Sequence, residues 1–392
     1  MEEQNEMYNI KRKLKKSTID IITFALFTFV TYAILHYYVI YQITDLFATV
    51  NEKYLAAILM FFLFVIYPLS SVLHKFFENK FVDVLYTIGS IWLGTIIIAT
   101  FVFLCSDFTL FVIENLGIYI RHSIVGTFDV FLIVAAVIYA LKNSRKIYVR
   151  KVTLSLPNLP RKLWGFKIIH ISDVHVGIVY DEEFLEKIVM KANKLEPDLV
   201  AITGDLFDGT GKLTKTLVEP IKYFNAPYGV FYVTGNHENY TGEVEKIKEY
   251  LKYLNVNVLE REVVDLDGLQ IAGIDAPKNE LLPNKKAFEE LGRKVDRRKS
   301  LVLLYHFPNS TKLARNIGVN LQLSGHTHSG QLFPYTIISR IMYPHNFGVY
   351  YIKGMFLNVS SGVGTWGPRM RLLSRNEIVQ ITLFPETMRR RK

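Results

Sequence analysis

Leu321-Gln322-Leu323-Ser324-Gly325-His326-Thr327-His328-Ser329-Gly330 begins as a short run of strand character and ends in two imidazoles two residues apart among small residues. The glycines let the chain bend so that both rings converge on one point. Working back toward the amino terminus, matching polar stretches follow: His306 in Leu304-Tyr305-His306-Phe307-Pro308, then Gly235-Asn236-His237-Glu238, Gly204-Asp205-Leu206-Phe207-Asp208 and Asp173-Val174-His175. Carboxylates, a carboxamide and imidazoles are the donor types that hold divalent ions.

The stretches around these residues have α/β character. Residues 167–172, 199–203, 230–234, 270–273, 301–305 and 321–324 read as strands, and 181–194 and 242–254 as helices. Leu185, Ile188, Val189 and Ala192 form one apolar stripe at helical spacing. Buried strands alternating with covering helices make an α/β fold. Asp173, Asp205, Asn236 and His306 all stand within about two residues of a strand's carboxyl end, where loops leaving one edge of a sheet bring distant side chains into one cleft.

A pair of ions about 3.5–4 Å apart needs a bridging carboxylate with oxygen and imidazole ligands on either side. Asp205 is the candidate bridge; Asp173, His175 and His328 complete the first ion, and Asn236, His306 and His326 the second. Such a pair lowers the pKa of a shared water and sets it in line with phosphorus. His237 is placed to protonate a leaving oxygen or meet developing negative charge. Asp208 would accept a hydrogen bond from His237 and hold its orientation.

In this order Asp-x-His, Gly-Asp-x-x-Asp, Gly-Asn-His-Glu, a single His and Gly-His-Thr-His resemble the calcineurin-like metallophosphoesterase superfamily. The resemblance implies a β-sandwich of two mixed sheets flanked by helices, two Mn, Fe or Zn ions, and the ligand and catalytic assignments just given. Gly362-Val363-Gly364-Thr365-Trp366-Gly367-Pro368, with the apolar windows ahead of it, is similar to the membrane-anchored branch. Protein Ser/Thr phosphatases of the superfamily carry Arg where this chain has Gly209 and Thr234, which argues against a phosphoprotein substrate. Ser329 replaces a frequent Gly without touching a ligand. Arg369 and Arg371 follow the Gly-rich stretch and are candidates for binding a substrate phosphate, a surface salt bridge being the alternative.

The amino-terminal part has another character. Windows 19–43, 55–73, 84–105 and 124–141 are nearly free of charge and each is long enough to cross a bilayer as a helix. The first is longer than a signal-peptide core and is followed by no small-residue cleavage pattern. Residues 108–120, interrupted by Glu114, Asn115 and Gly117, read as a segment lying in the interface. The expected division is a basic cytoplasmic amino terminus (1–18), a four-helix transmembrane region (19–141), a linker with the first edge strand (142–165), the catalytic domain (166–385) and a basic tail (386–392). Residues 1–150 carry 13 Lys and Arg against 11 Asp and Glu, so most of the net charge of +10 lies in the remainder. That balance suits anionic headgroups or phosphorylated substrates; no nucleic-acid recognition motif accompanies it. With Cys105 as the single cysteine, no intrachain disulfide forms.

His170 reads as a core residue, Arg389 to Lys392 as a solvated end with contact to anionic lipid as the alternative, and His36, His74, His122 and His345 as residues without a role in the site. These observations point to a membrane-anchored hydrolase of a phosphodiester, pyrophosphate or phosphomonoester, with a lipid-linked substrate among the options. They leave open a small-nucleotide phosphodiesterase and a membrane sensor whose metal domain only binds a ligand. His237 and Asp208 favour the enzyme, since a binding module needs no general acid. Metal identity and oligomeric state stay open. The cluster Lys11, Arg12, Lys13, Lys15 and Lys16 precedes the first window, and Lys142, Arg145, Lys146, Arg150 and Lys151 follow the fourth. The positive-inside rule then gives a multi-pass protein of the cell membrane with its catalytic part in the cytoplasm. Reporter fusions after Lys142 and after Glu52 should accordingly report opposite sides, cytoplasmic and external; the same side for both would refute the four-span count.

Overall fold

A computed structural model describes residues 23 and 26–386, apart from 48, 75, 78, 211, 212 and 278–283. The basic cluster at 11–16, the start of the first window and the tail at 389–392 lie outside the described residues. Four long helices come first: α1 (Leu26–Asp45), α2 (Val50–Leu73), α3 (Lys80–Asn115) and α4 (His122–Asn143). Each is apolar and long enough to span a bilayer. Residues 108–115 are the last turns of the 36-residue α3, not a separate interfacial segment. Asn115 closes that helix by donating from Nδ2 to Phe111 O at 2.7 Å, and Gly117 turns the chain at a φ of 82°.

The chain divides into two compact units. One holds the described residues up to Leu69 together with Thr95–Ala135; the other holds Ser70–Gly94 and the chain from Ala136 onward. Within the first, acidic groups on apolar helices find partners, as they must away from water. Asp107 Oδ2 accepts from Tyr38 Oη and Gln42 Nε2, each at 2.6 Å, and Asp129 Oδ1 accepts from Ser106 Oγ at 2.7 Å.

The second unit contains two six-stranded mixed sheets. In chain order the strands are β1 (Ile147–Leu156), β2 (Phe166–Ile171), β3 (Leu199–Thr203), β4 (Val230–Val233), β5 (Asn257–Val258), β6 (Glu262–Leu266), β7 (Leu269–Ile274), β8 (Ser300–Tyr305), β9 (Leu321–Ser324), β10 (Gly348–Ile352), β11 (Met355–Val359) and β12 (Asn376–Pro385). One sheet runs β1-β12-β2-β3-β4-β5 and the other β10-β11-β9-β8-β7-β6. The sequence expectation of a two-sheet sandwich with flanking helices is met. β1 lies in the expected linker and pairs along its whole length with β12.

All residues of β3 and β8 are buried, because parallel neighbours and covering layers leave no solvated face. Ile168, Ala201, Phe231 and Val233 of one sheet meet Ile271, Val302, Leu304 and Leu323 of the other in the central core. Outside the first sheet lie α5 (Glu182–Asn193) and α7 (Val244–Tyr253), whose Leu185, Ile188, Val189, Ile247 and Leu251 join a second core. The Asp181 side chain starts α5 by accepting from Phe184 N at 3.1 Å. Outside the other sheet, Phe288 and Leu291 of α8 (Lys285–Gly292) and Ala314 of α9 (Thr311–Asn316) complete a third. A short α6 (Asn236–Thr241) follows β4, and α10 (Tyr335–Met342) follows β9.

Parts of the helical hairpin belong to this unit. His74, Asn79, Lys80 and Asp83 line a cavity of about 350 Å³ with Gly177, Glu182 and Thr214. A Cβ on Gly94 would lie 2.7 Å from Met370 Sδ and 3.3 Å from both Leu332 Cδ1 and Pro368 Cβ. At the end of α4, Ala140 O accepts from Arg371 N at 3.0 Å, and Asn143 Nδ2 donates to Arg371 O and Ser374 O at 3.0 and 2.9 Å.

Candidate metal centre

Loops leaving β2, β3 and β4 in one sheet and β8 and β9 in the other carry all seven ligand candidates, and the sandwich brings them together. Asp173, His175, Asp205, His326 and His328 have φ between 48 and 72°. For residues other than glycine this left-handed region costs roughly 1–2 kcal/mol each, so tertiary contacts must impose it. Some are hydrogen bonds between the loops: Asp173 N to Gly204 O and His175 N to Asp205 O, both at 3.1 Å, and Gly325 N to His306 O at 2.9 Å. Close approach explains two glycines: a Cβ on Gly235 would collide with the Asp205 carboxylate, and one on Gly325 with Asp173 and Ser172.

The side chains fall into two groups about Asp205. On one side His328 Nε2 is 3.0 Å from His175 Nε2 and 3.4 Å from Asp173 Oδ1. On the other, Asn236 Oδ1 is 3.1 Å from His306 Nε2 and 3.0 Å from His326 Nδ1. Asp205 Oδ2 faces both, at 3.2 Å from His306 Nε2 and 3.8 Å from His175 Nε2. All seven residues are buried or nearly so.

Burial opposes a charge on His306, but the carboxylates of Asp205 and Asp173 outweigh it and hold the imidazole at about 10. Asp205 also resists the upward push of burial and, beside His306 and His237, lies well below the usual carboxylate range. Burial pushes His326 down to about 3, with charged His306 adding to the effect. The cluster therefore attracts positive charge. Its donors are oxygen and imidazole nitrogen, the set that suits Mn, Fe or Zn, and the residues fit two such ions.

Asp208 does not have the partner expected of it. His237 Nδ1 bonds the Asp208 main-chain oxygen at 2.6 Å, while the nearer carboxylate oxygen is 4.0 Å from that nitrogen. The loop after β3 turns the carboxylate instead toward His175 Nδ1, 3.4 Å away, and Thr210 Oγ1 donates to its other oxygen. A carboxylate behind a ligating imidazole fixes the ring's orientation and tautomer.

Arg371 is 0% exposed. Its guanidinium donates to His328 O at 2.6 Å, Ser361 O at 2.6 Å, Gly364 O at 2.7 Å and Asn376 Oδ1 at 2.7 Å. Arg369 stacks over Tyr180, 4.8 Å from the ring centroid.

Glu238 is a functional residue that the sequence reading passed over. Fully buried, it accepts from Gly235 N at 2.6 Å and from Asp205 N and Phe207 N at 3.0 Å each, clamping the loop after β3 to that after β4. Its place in Gly-Asn-His-Glu was the available signal. Tyr343, whose Oη is 3.2 Å from His326 Nε2, had no local signal.

The family model for calcineurin-like phosphoesterases matches residues 166–330. A relative from Campylobacter jejuni, described as an uncharacterized metallophosphoesterase (Cj0846), is 37% identical over 259 residues, covering 65% of this chain and 67% of its own. One from Aquifex aeolicus, also described as a metallophosphoesterase, is 36% identical over 60% of this chain and 91% of its own. The transmembrane protein with metallophosphoesterase domain of Danio rerio is 33% identical over 64% of this chain; the match spans 61% of that relative, less than two thirds of its length. Among solved structures, a dimetal phosphatase from Danio rerio covers 56% of this chain and 99% of its own at 12% identity and a TM-score of 0.36, too slight a likeness to argue from. Through the family match and these relatives, the chain belongs to the calcineurin-like metallophosphoesterases.

Proposed function

We propose that the protein is a membrane-anchored, metal-dependent phosphoesterase acting on a phosphodiester, pyrophosphate or phosphomonoester of an amphipathic substrate, with its catalytic domain (166–385, joined by the edge strand β1) on the cytoplasmic side. The observation that carries this reading is the convergence of the seven donor side chains with Asp205 Oδ2 between the two groups. Two divalent ions held there would polarise a phosphoryl oxygen and activate a water for in-line attack. The chain's own residues do the rest. Asp173, His175 and His328 would hold one ion and Asn236, His306 and His326 the other, with Asp205 shared. The neutral Asn236 leaves its position more positive than a second carboxylate would.

His237 stands next to Asn236 with its Nδ1 occupied by the Asp208 carbonyl, which leaves Nε2 as the atom that holds or gives a proton. This favours an enzyme over a ligand-binding sensor, because a binding site has no use for a fixed proton donor. A small-nucleotide phosphodiester is the second reading, favoured by the exposed Tyr240 and Trp366, whose rings lie 5.1 and 6.3 Å from that of His237 and offer faces on which a base would stack. We assign Arg371 as a positioning residue for His328: its buried guanidinium donates to His328 O, Ser361 O, Gly364 O and Asn376 Oδ1 and lies 3.4 Å from His328 Nδ1.

Asp205→Asn removes the shared charge and is expected to lower both metal content and hydrolysis while the fold persists; full metal content with full turnover would exclude the bridge. For His237→Ala, both ions should remain while turnover falls roughly 10²-fold or more on substrates with poor leaving groups. An aryl phosphate with a good leaving group should suffer less, and equal loss on both would assign His237 to charge stabilisation. Arg371→Lys should weaken metal binding about 10- to 100-fold, the scale for lost support behind a ligand, as measured by metal titration alongside thermal unfolding. Unchanged metal affinity in a folded variant would exclude the positioning role.

A further inference from the structure

The amphipathicity of α10 is inverted. Its buried side chains are Thr336 and Ser339, the latter bonded through Oγ to Asn346 Oδ1 at 2.6 Å. Tyr335, Ile337, Ile338, Ile341 and Met342 are exposed, Ile341 by 79%. A helix on a water-bathed domain turns these faces the other way, and a contiguous exposed apolar patch marks a binding surface.

Three observations identify what covers it. First, α3 has 36 residues, about 54 Å at the helical rise, against a hydrocarbon core of about 30 Å. Its first part, through Gly94, belongs to the catalytic unit, so the helix is long enough both to cross and to stand against that unit. Second, a Cβ on Gly94 would touch Leu332, three residues ahead of α10. That places the start of α10 beside a helix apolar and long enough to span a bilayer. Third, the stretch flanking α10 in sequence, residues 316–370, contains Arg340, Lys353 and Arg369 and no Asp or Glu. Arg340 lies exposed within α10 itself. An apolar face set in an acid-free, basic segment is the pattern of a helix lying in an anionic lipid interface.

We propose that α10 is an interfacial helix whose Ile337, Ile338, Ile341 and Met342 enter the bilayer surface, so that the metal centre takes its phosphoester from the plane of the membrane. The helix reaches the site through the next residue: Tyr343 Oη contacts His326 Nε2. The delivery step rests on the phosphoesterase reading above; the membrane contact does not.

The test uses the full-length chain in vesicles of phosphatidylcholine and phosphatidylglycerol, with Cys105→Ser removing the native thiol. A fluorophore on Ile341→Cys should be quenched by brominated lipid and shielded from iodide, and one on Glu249→Cys of α7 should behave oppositely. Equal iodide quenching at both positions would overturn the proposal. So would shielding of position 341 that tracks protein density and accompanies a crosslinked dimer, which would assign the face to a second copy. For turnover, Ile337→Glu with Ile341→Glu should cost at least about tenfold on phosphatidic acid in vesicles and leave hydrolysis of soluble bis(p-nitrophenyl) phosphate unchanged. Equal effects on both substrates would overturn the delivery step. Inactivity of the unmutated protein toward every phosphoester would count against the enzyme reading, and the depth measurement would still decide the helix.

Discussion

Buried carboxylates repel one another unless positive charge is placed among them. Asp173, Asp205 and Asp208 are at most 7% exposed and stand around the same imidazoles. Protons are one source of compensation: the Asp205 and Asp173 carboxylates raise the buried His306 imidazole above its ordinary value. Divalent cations are the stronger source, since each brings twice the charge and accepts lone pairs from oxygen and nitrogen alike. The positive-φ backbone at five ligand positions and the Glu238 clamp are the structural costs of holding this arrangement. The two-sheet core supplies the rigidity that sustains them.

How much of this could be read beforehand varied with the residues. Leu199–Thr203 and Leu321–Ser324 match their strands because a buried parallel strand is a continuous apolar run. The convergence of the ligand candidates was legible because five short blocks at strand ends share one chemistry. β12 was not, since its buried Asn376 and Glu377 resemble a loop until Arg150 and the Ser144 carbonyl are seen to satisfy them. α10 was missed for the opposite reason, its polar residues facing inward. The partner of Asp208 depended on which of two neighbouring imidazoles the loop after β3 faces, and spacing alone does not encode that. The membrane windows agree with the helices because composition decides them, although α3 runs ten residues past its window to Asn115.

The same unit that holds the metal centre also holds the ends of the hairpin helices. Ala140 O binds Arg371 N, and the Arg371 guanidinium binds His328 O. One residue thus links the end of α4 to a ligand candidate.

The central claim is that Asp205 lies between two metal positions. Titrating the purified full-length chain with Mn(II), as a paramagnetic probe, and recording electron paramagnetic resonance spectra addresses it directly. Two equivalents bound per chain, with the exchange-coupled multiline signal of ions sharing a bridge, is the predicted result. A single equivalent, or two giving only the signal of isolated ions, would contradict the account.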